Sequence, residues 1–98
     1  MEELKGKQRR YLKSLANRLK PMVYMGKEGI SPALLNSIED AYNTSELIKI
    51  KLEQNCPMDR KELGPQLAEQ TGSHLIQILG RTLLLYRPDA EKPKLQLP

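Results

Sequence analysis

The part of this 98-residue sequence best suited to chemistry is the run Gly26-Lys27-Glu28-Gly29. Two glycines three apart let a backbone turn sharply and bring its N–H groups close to a bulky anion. Ser31 and Pro32, just beyond, are residues of a helix start, which adds unpaired N–H groups and the positive end of the helix dipole. Lys27 supplies a mobile positive charge. Glu28 opposes the ligand, because a carboxylate near a helix N-terminus is itself favourable there and competes for the anion site.

A GxxG pattern alone is common in ordinary turns. What sets this one apart is its place between a strand and a capped helix, directly after a basic segment. In KH domains a GxxG loop that clamps nucleic-acid phosphates joins two helices; here it joins a strand to a helix, so a KH assignment does not fit.

Catalytic and metal chemistry have no comparable support. His74 is the only histidine and falls in a predicted strand, while Cys56 is the only cysteine and lies in a loop beside Pro57 with no histidine near it. A nucleophile–base pair is therefore unsupported, no cluster of metal ligands is visible, and Glu39-Asp40 fits a solvated helix face. No catalytic residue, metal, cofactor or small-molecule substrate is expected, and the protein is not expected to be an enzyme. A single cysteine permits no internal disulfide, which points to the reducing cytoplasm. No apolar run approaches the ~18 residues of a spanning helix, and the opening MEELKGKQRR lacks the apolar core of a secretory signal.

Charge is unevenly distributed. Residues 1–27 carry eight bases against two acids, a balance of +6, whereas residues 28–98 balance at −2. Such asymmetry points to one polyanion-facing end.

The elements that must position the loop follow from periodicity. Leu12, Leu15, Ala16 and Leu19 recur at helical spacing, predicting a helix over about residues 5–19 that ends before Pro21. Met22 to Met25 is a short apolar run, read as a buried strand. Ser31 and Pro32 open a second helix with Leu34, Leu35, Ile38, Ala41 and Tyr42 as its stripe. Leu47, Ile48, Ile50 and Leu52 alternate with Lys49 and Lys51, a strand with one wet face. The loop Gln54 to Met58 leads to a third helix, with Asp59 and Glu62 at capping-box spacing and Gly72 at its C′ position. Gly64-Pro65 conflicts with that helix: either it kinks or its regular part begins at Pro65. Ser73 to Leu79, the turn Gly80-Arg81-Thr82 and Leu83 to Tyr86 form a hairpin, and residues 88–98 form an extended or frayed tail. The fold class is α/β, a single domain over residues 1–87 with the order α-β-α-β-α-β-β, in which one layer of helices covers a mixed four-stranded sheet.

Three motifs together resemble a known family: Lys7-Gln8-Arg9; Leu19-Lys20-Pro21 leading to Met25-Gly26-Lys27-Glu28-Gly29-Ile30; and Ile78-Leu79-Gly80-Arg81 with Leu85-Tyr86-Arg87. In this order and spacing they resemble the CRM (chloroplast RNA splicing and ribosome maturation) domain, in its free-standing bacterial YhbY type, over roughly residues 5–87. The resemblance implies a fold similar to the C-terminal domain of bacterial translation initiation factor three. It also implies RNA binding through Gly26 to Gly29 and association with precursors of the large ribosomal subunit. Arg81 and Arg87 match the family ending, where either RNA contact or bracing of the fold is open.

The expected partner is thus structured RNA, ribosomal RNA in a large-subunit precursor, bound by a monomer through phosphates. The expected contacts are Lys7, Arg9, Arg10, Lys13 and Lys20, running as one positive surface into Gly26, Lys27, Glu28 and Gly29, together with Arg81. Tyr24, Tyr42 and Tyr86 sit in apolar patterns and are expected in the core, while Tyr11, beside Leu12 on the flank of the first helix, is open to either place. A reader of shape and backbone without base platforms fits better than a reader of single strands. The alternative is a protein-binding module that docks its basic first helix on an acidic partner.

Overall fold

Three amphipathic stripes and four short apolar runs become three helices and four strands in the computed structural model of the chain, which describes residues 3–57 and 59–98. In chain order they are α1 (Gly6–Ala16), β1 (Val23–Met25), α2 (Pro32–Tyr42), β2 (Leu47–Leu52), α3 (Arg60–Thr71), β3 (His74–Leu79) and β4 (Thr82–Tyr86). This is the expected order. Met58, in the loop before α3, and Glu2, counted in the basic segment, lie outside the described residues. Among the described residues no helix is long and apolar enough to cross a membrane.

Local chemistry sets most boundaries. Ser31 Oγ accepts from the Leu34 N–H at 3.1 Å and Pro32 takes the first helical position, so α2 begins where its cap dictates. The Asp59 carboxylate accepts from the Lys61 N–H, and Gly72, at φ 65°, closes α3 in the left-handed region. Helix α1 is shorter than expected. After Ala16 the chain leaves it through two turns, Arg18 N–H to the Leu15 carbonyl and Leu19 N–H to that of Ala16. Pro65 does not delay α3, which runs from Arg60 through it to Thr71. The adjoining Gly64 is buried, and a Cβ there would come within 3.0 Å of Leu75 Cδ2 and 3.2 Å of Ile78 Cδ1, so the glycine lets α3 lie close on β3.

The strands form one mixed sheet in the order β1-β2-β4-β3, with β1 parallel to β2 and the other pairs antiparallel. The helices do not form one layer on it. Helices α2 and α3 cover one face, burying Val23, Met25, Ile48, Ile50, Leu83 and Leu85. Helix α1 covers the other, with Leu12 and Ala16 packed on Leu47, Ile76, Leu84 and Tyr86. The reason lies in β2, whose expected wet face carries Leu47, Lys49 and Lys51. Leu47 is buried beneath α1, and Lys49 Nζ donates to the carbonyls of Ala16 at 2.8 Å and Leu19 at 3.0 Å. Carbonyls at the C-terminal end of a helix attract a cation, so this lysine fastens α1 to the sheet. Only Lys51 stays exposed.

Residues 88–98 form neither helix nor strand, but they are held in place instead of fraying. Glu46 is buried, and its carboxylate accepts the backbone N–H groups of Asp89, Lys94 and Leu95. Three donors satisfy an acid that burial would otherwise penalise. Leu95 and Leu97 then pack against the α1-side core.

Arg87 braces the fold. Its guanidinium lies 4.1 Å from the Tyr42 ring centroid, pairs with both Glu39 oxygens at 2.8 and 2.9 Å, and donates to the Thr71 carbonyl at 2.8 Å. One side chain thus ties the end of β4 to α2 and α3. Burial pushes the Tyr42 hydroxyl up to about 12, and it shares a 2.7 Å hydrogen bond with Ser73 Oγ. The hydrogen bond from Arg87 holds Glu39 below its ordinary 4.5. A carboxylate lowered on folding contributes stability that is present above its unfolded value and lost as pH falls through its folded value. Glu39→Gln should therefore lower stability modestly at pH 7, by an amount kept small because the exposed pair is screened. It should converge with wild type as pH falls below about 4.5, which flattens the acid limb of the stability–pH curve. Thermal melts of both proteins between pH 3 and 7 check this.

Candidate functional site

Pairing brings three loops to one end of the sheet. Parallel β1 and β2 end side by side at Met25 and Leu52, Lys51 lies opposite Thr82, and Leu79 also pairs with Thr82. The loop 26–29, the segment 53–57 and the turn Gly80-Arg81 therefore leave from the same edge.

The glycine loop is tightly built. The Gly29 N–H donates to the Gly26 carbonyl at 3.0 Å, and Gly29 is buried at φ 63°, a conformation glycine adopts without strain. A Cβ on Gly26 would meet Glu53 Oε2 at 3.3 Å and Asn55 Oδ1 at 3.6 Å. Lys27 and Glu28 are exposed at the tip. The loop closes one end of an open groove of about 650 Å³ whose walls are Met22 to Met25, Ala33 and Ser37 of α2, and Glu53 and Asn55.

The helix end gives this groove fewer donors than expected. Pro32 has no N–H, the Leu34 N–H is held by Ser31 Oγ, and the Leu35 N–H bonds the Ser31 carbonyl. Among the described residues, the N–H groups of Gly26, Lys27, Glu28, Ile30, Ser31 and Ala33 make no hydrogen bond within the chain. Those of Lys27 and Glu28 lie at the exposed loop tip, with the Lys27 ammonium beside them and the helix dipole behind. Two carboxylates, Glu28 and Glu53, stand close and limit the charge the loop presents. Arg81 is exposed at the tip of the neighbouring turn, on a hollow of about 180 Å³ shared with Glu53, Asp59 and Arg60.

The expected continuous positive surface is divided. Helix α1 packs on β2 and β3, while the glycine loop follows the opposite edge strand, β1. Its N-terminal turn adjoins His74 and Tyr86, at the sheet end away from the loop. Lys7 and Arg10 are exposed at that distant end. Arg9 is half-buried, and its Nη1 donates to the Leu75 carbonyl at 2.9 Å, pinning α1 to β3. Lys13, in the last turn of α1, and Lys20, on the approach to β1, are exposed. An amphipathic stripe shows that a helix is buried but not on which sheet face, and the placement of α1 separates Lys7, Arg9 and Arg10 from the loop. Arg81 joins the loop in their place.

The tyrosines also divide. Tyr86 is buried and Tyr42 half-buried, as expected, but Tyr24 is 56% exposed. In β1 only Val23 and Met25 face the core, and a three-residue strand is too short for its alternation to show in the sequence.

Three comparisons place this geometry among known proteins. The CRS1 / YhbY (CRM) domain matches residues 4–87. The chain is 36% identical to the "Probable RNA-binding protein YqeI" of Bacillus subtilis, over 97% of this chain and 99% of that protein. It is 37% identical to an "RNA-binding protein" of Haemophilus influenzae, over 100% of this chain and 98% of that one. The solution structure of SAV1595 from Staphylococcus aureus, "a putative RNA binding protein", is similar with a TM-score of 0.81 at 41% identity, covering 98% of this chain and 100% of that one.

Proposed function

We propose, from the premise that this chain belongs to the CRS1 / YhbY (CRM) domain family, that it binds structured RNA by its phosphates. It would do so as a monomeric, non-enzymatic accessory protein of the cytoplasm. The observation that carries this reading is the loop Gly26 to Gly29, where a buried left-handed glycine closes a turn whose exposed tip carries Lys27 and Glu28, with no partner in the chain for their N–H groups, beside an open groove. Arg81 and, further off, the bases of α1 add long-range attraction for a polyanion. The names carried by relatives of nearly the same length favour RNA over other polyanions.

Ribosomal RNA in a large-subunit precursor is the partner proposed. Crosslinking in cells, co-sedimentation of the protein with ribosomal particles and sequencing of the attached RNA test it. Enrichment of large-subunit precursor RNA is expected, and a random RNA population would refute the partner. Phosphate contacts give affinity a log–log salt slope near −0.9 each on a duplex and −0.7 on a single strand. Weak binding without such a slope would favour a protein partner instead.

A further inference from the structure

A row of four residues crosses the whole sheet on the face that α1 covers only in part. Tyr24 lies opposite Lys51, Lys51 opposite Thr82, and Thr82 opposite Leu79. Directly opposed residues share a face, and Val23 and Met25 point to the α2–α3 core, so this row lies on the α1 side. Helix α1 stops short of it: its C-terminal residues Ala16 and Asn17 border a small hollow with Leu79 and Thr82. Tyr24 is 56% exposed and Leu79 66%. Adjacent strands are ~4.8 Å apart, so the row is roughly 14 Å long.

We propose that this row is a platform for unpaired RNA nucleotides, on which a base stacks against the Tyr24 ring while Lys51 neutralises the adjoining phosphate. The inference rests on the RNA-binding reading above and adds a ligand subsite to it. Continuity carries it first. Tyr24 precedes Gly26 by two residues, about 7 Å along a strand, so a chain held by the loop passes directly over the ring. Charge complementarity carries it second, because the only charged side chain in the row is a lysine. An exposed ring in register with an exposed cation suits a nucleotide, and every base has a face to stack. The structure thus replaces a reader of backbone alone with one that also holds a single-stranded segment next to its duplex.

The test uses an RNA hairpin with an unpaired extension of six adenosines and the same hairpin with a blunt end. The extension should tighten binding of the wild-type protein about tenfold, the usual worth of a base–aromatic stack. Tyr24→Ala should lose that gain and Tyr24→Phe keep it; the exposure of Tyr24 predicts that both fold. The chain has no tryptophan, so the indole introduced by Tyr24→Trp is a unique fluorophore. The extended hairpin should quench it and the blunt one should not. If Tyr24→Ala keeps the gain, or the extension adds none, the platform is overturned, whereas binding of the blunt hairpin that falls with Gly29→Asp leaves the phosphate loop standing. Binding of neither hairpin by the wild-type protein overturns both.

Discussion

Gly29→Asp will weaken RNA binding roughly thirty- to hundredfold, on the order of 2–3 kcal/mol, while the protein stays folded. Position 29 follows the unpaired N–H groups of Lys27 and Glu28 at the exposed loop tip and precedes the first turn of α2. A carboxylate there occupies the anion site and repels a phosphate. The left-handed φ of 63° adds strain of about 1–2 kcal/mol for a residue with a Cβ, within the ~5–15 kcal/mol that holds a domain of this size together. Gly29→Asn separates the two effects, since it carries the same strain without the charge and should bind much better than the aspartate variant. Lys27→Ala removes one screened, exposed contact and should lower the salt slope by about one with a smaller loss of affinity. Filter binding at two salt concentrations, with circular dichroism to confirm folding, reads all three. A folded Gly29→Asp protein that binds like wild type would mean that the loop is only a turn.

The second large effect concerns stability. Leu12→Ala should cost about 2–5 kcal/mol and lower the melting temperature by about 10 to 30 °C. Leu12 is fully buried at the centre of the α1-side core, where it packs with Leu47, Ile76, Leu84 and Tyr86. Leu15 and Leu19 are only half-buried, so their truncation should cost less, although the three share one helical stripe. Differential scanning calorimetry of the three variants gives the order. An unchanged melting temperature for Leu12→Ala would make α1 peripheral and return it to the role of a helix that docks on a partner.

Caps and turns were legible in the sequence because their chemistry is complete within four residues. Ser31 with Pro32, Asp59 and Gly72 end or begin helices where their types require. The glycine loop was legible for the same reason, though its donor inventory was not. Ser31, the residue that announces the helix, also takes the Leu34 N–H that an anion would have used. What stayed hidden depends on partners far along the chain. The stripe of α1 carries no mark of the face it covers, and that choice moved Lys7, Arg9 and Arg10 away from the loop. Lys49 looked like a solvent residue because its partners, the Ala16 and Leu19 carbonyls, lie some thirty positions earlier. The tail looked frayed because its anchor is Glu46, an acid whose burial no local pattern signals. Gly64 resolves its own conflict with Pro65 only once β3 is seen against it.

RNA phosphates are expected to sit in the turn from Gly26 to Gly29. At 11.2 kDa the protein is suited to direct observation of its amides by nuclear magnetic resonance. Titrating the isotope-labelled protein with a large-subunit ribosomal RNA fragment follows every N–H at once. The largest shifts should fall on Lys27, Glu28, Gly29 and Ala33, with smaller ones at Arg81 and little change at Lys7 and Arg10. Saturable binding that shifts the amides of α1 and leaves residues 26–29 in place would contradict the account.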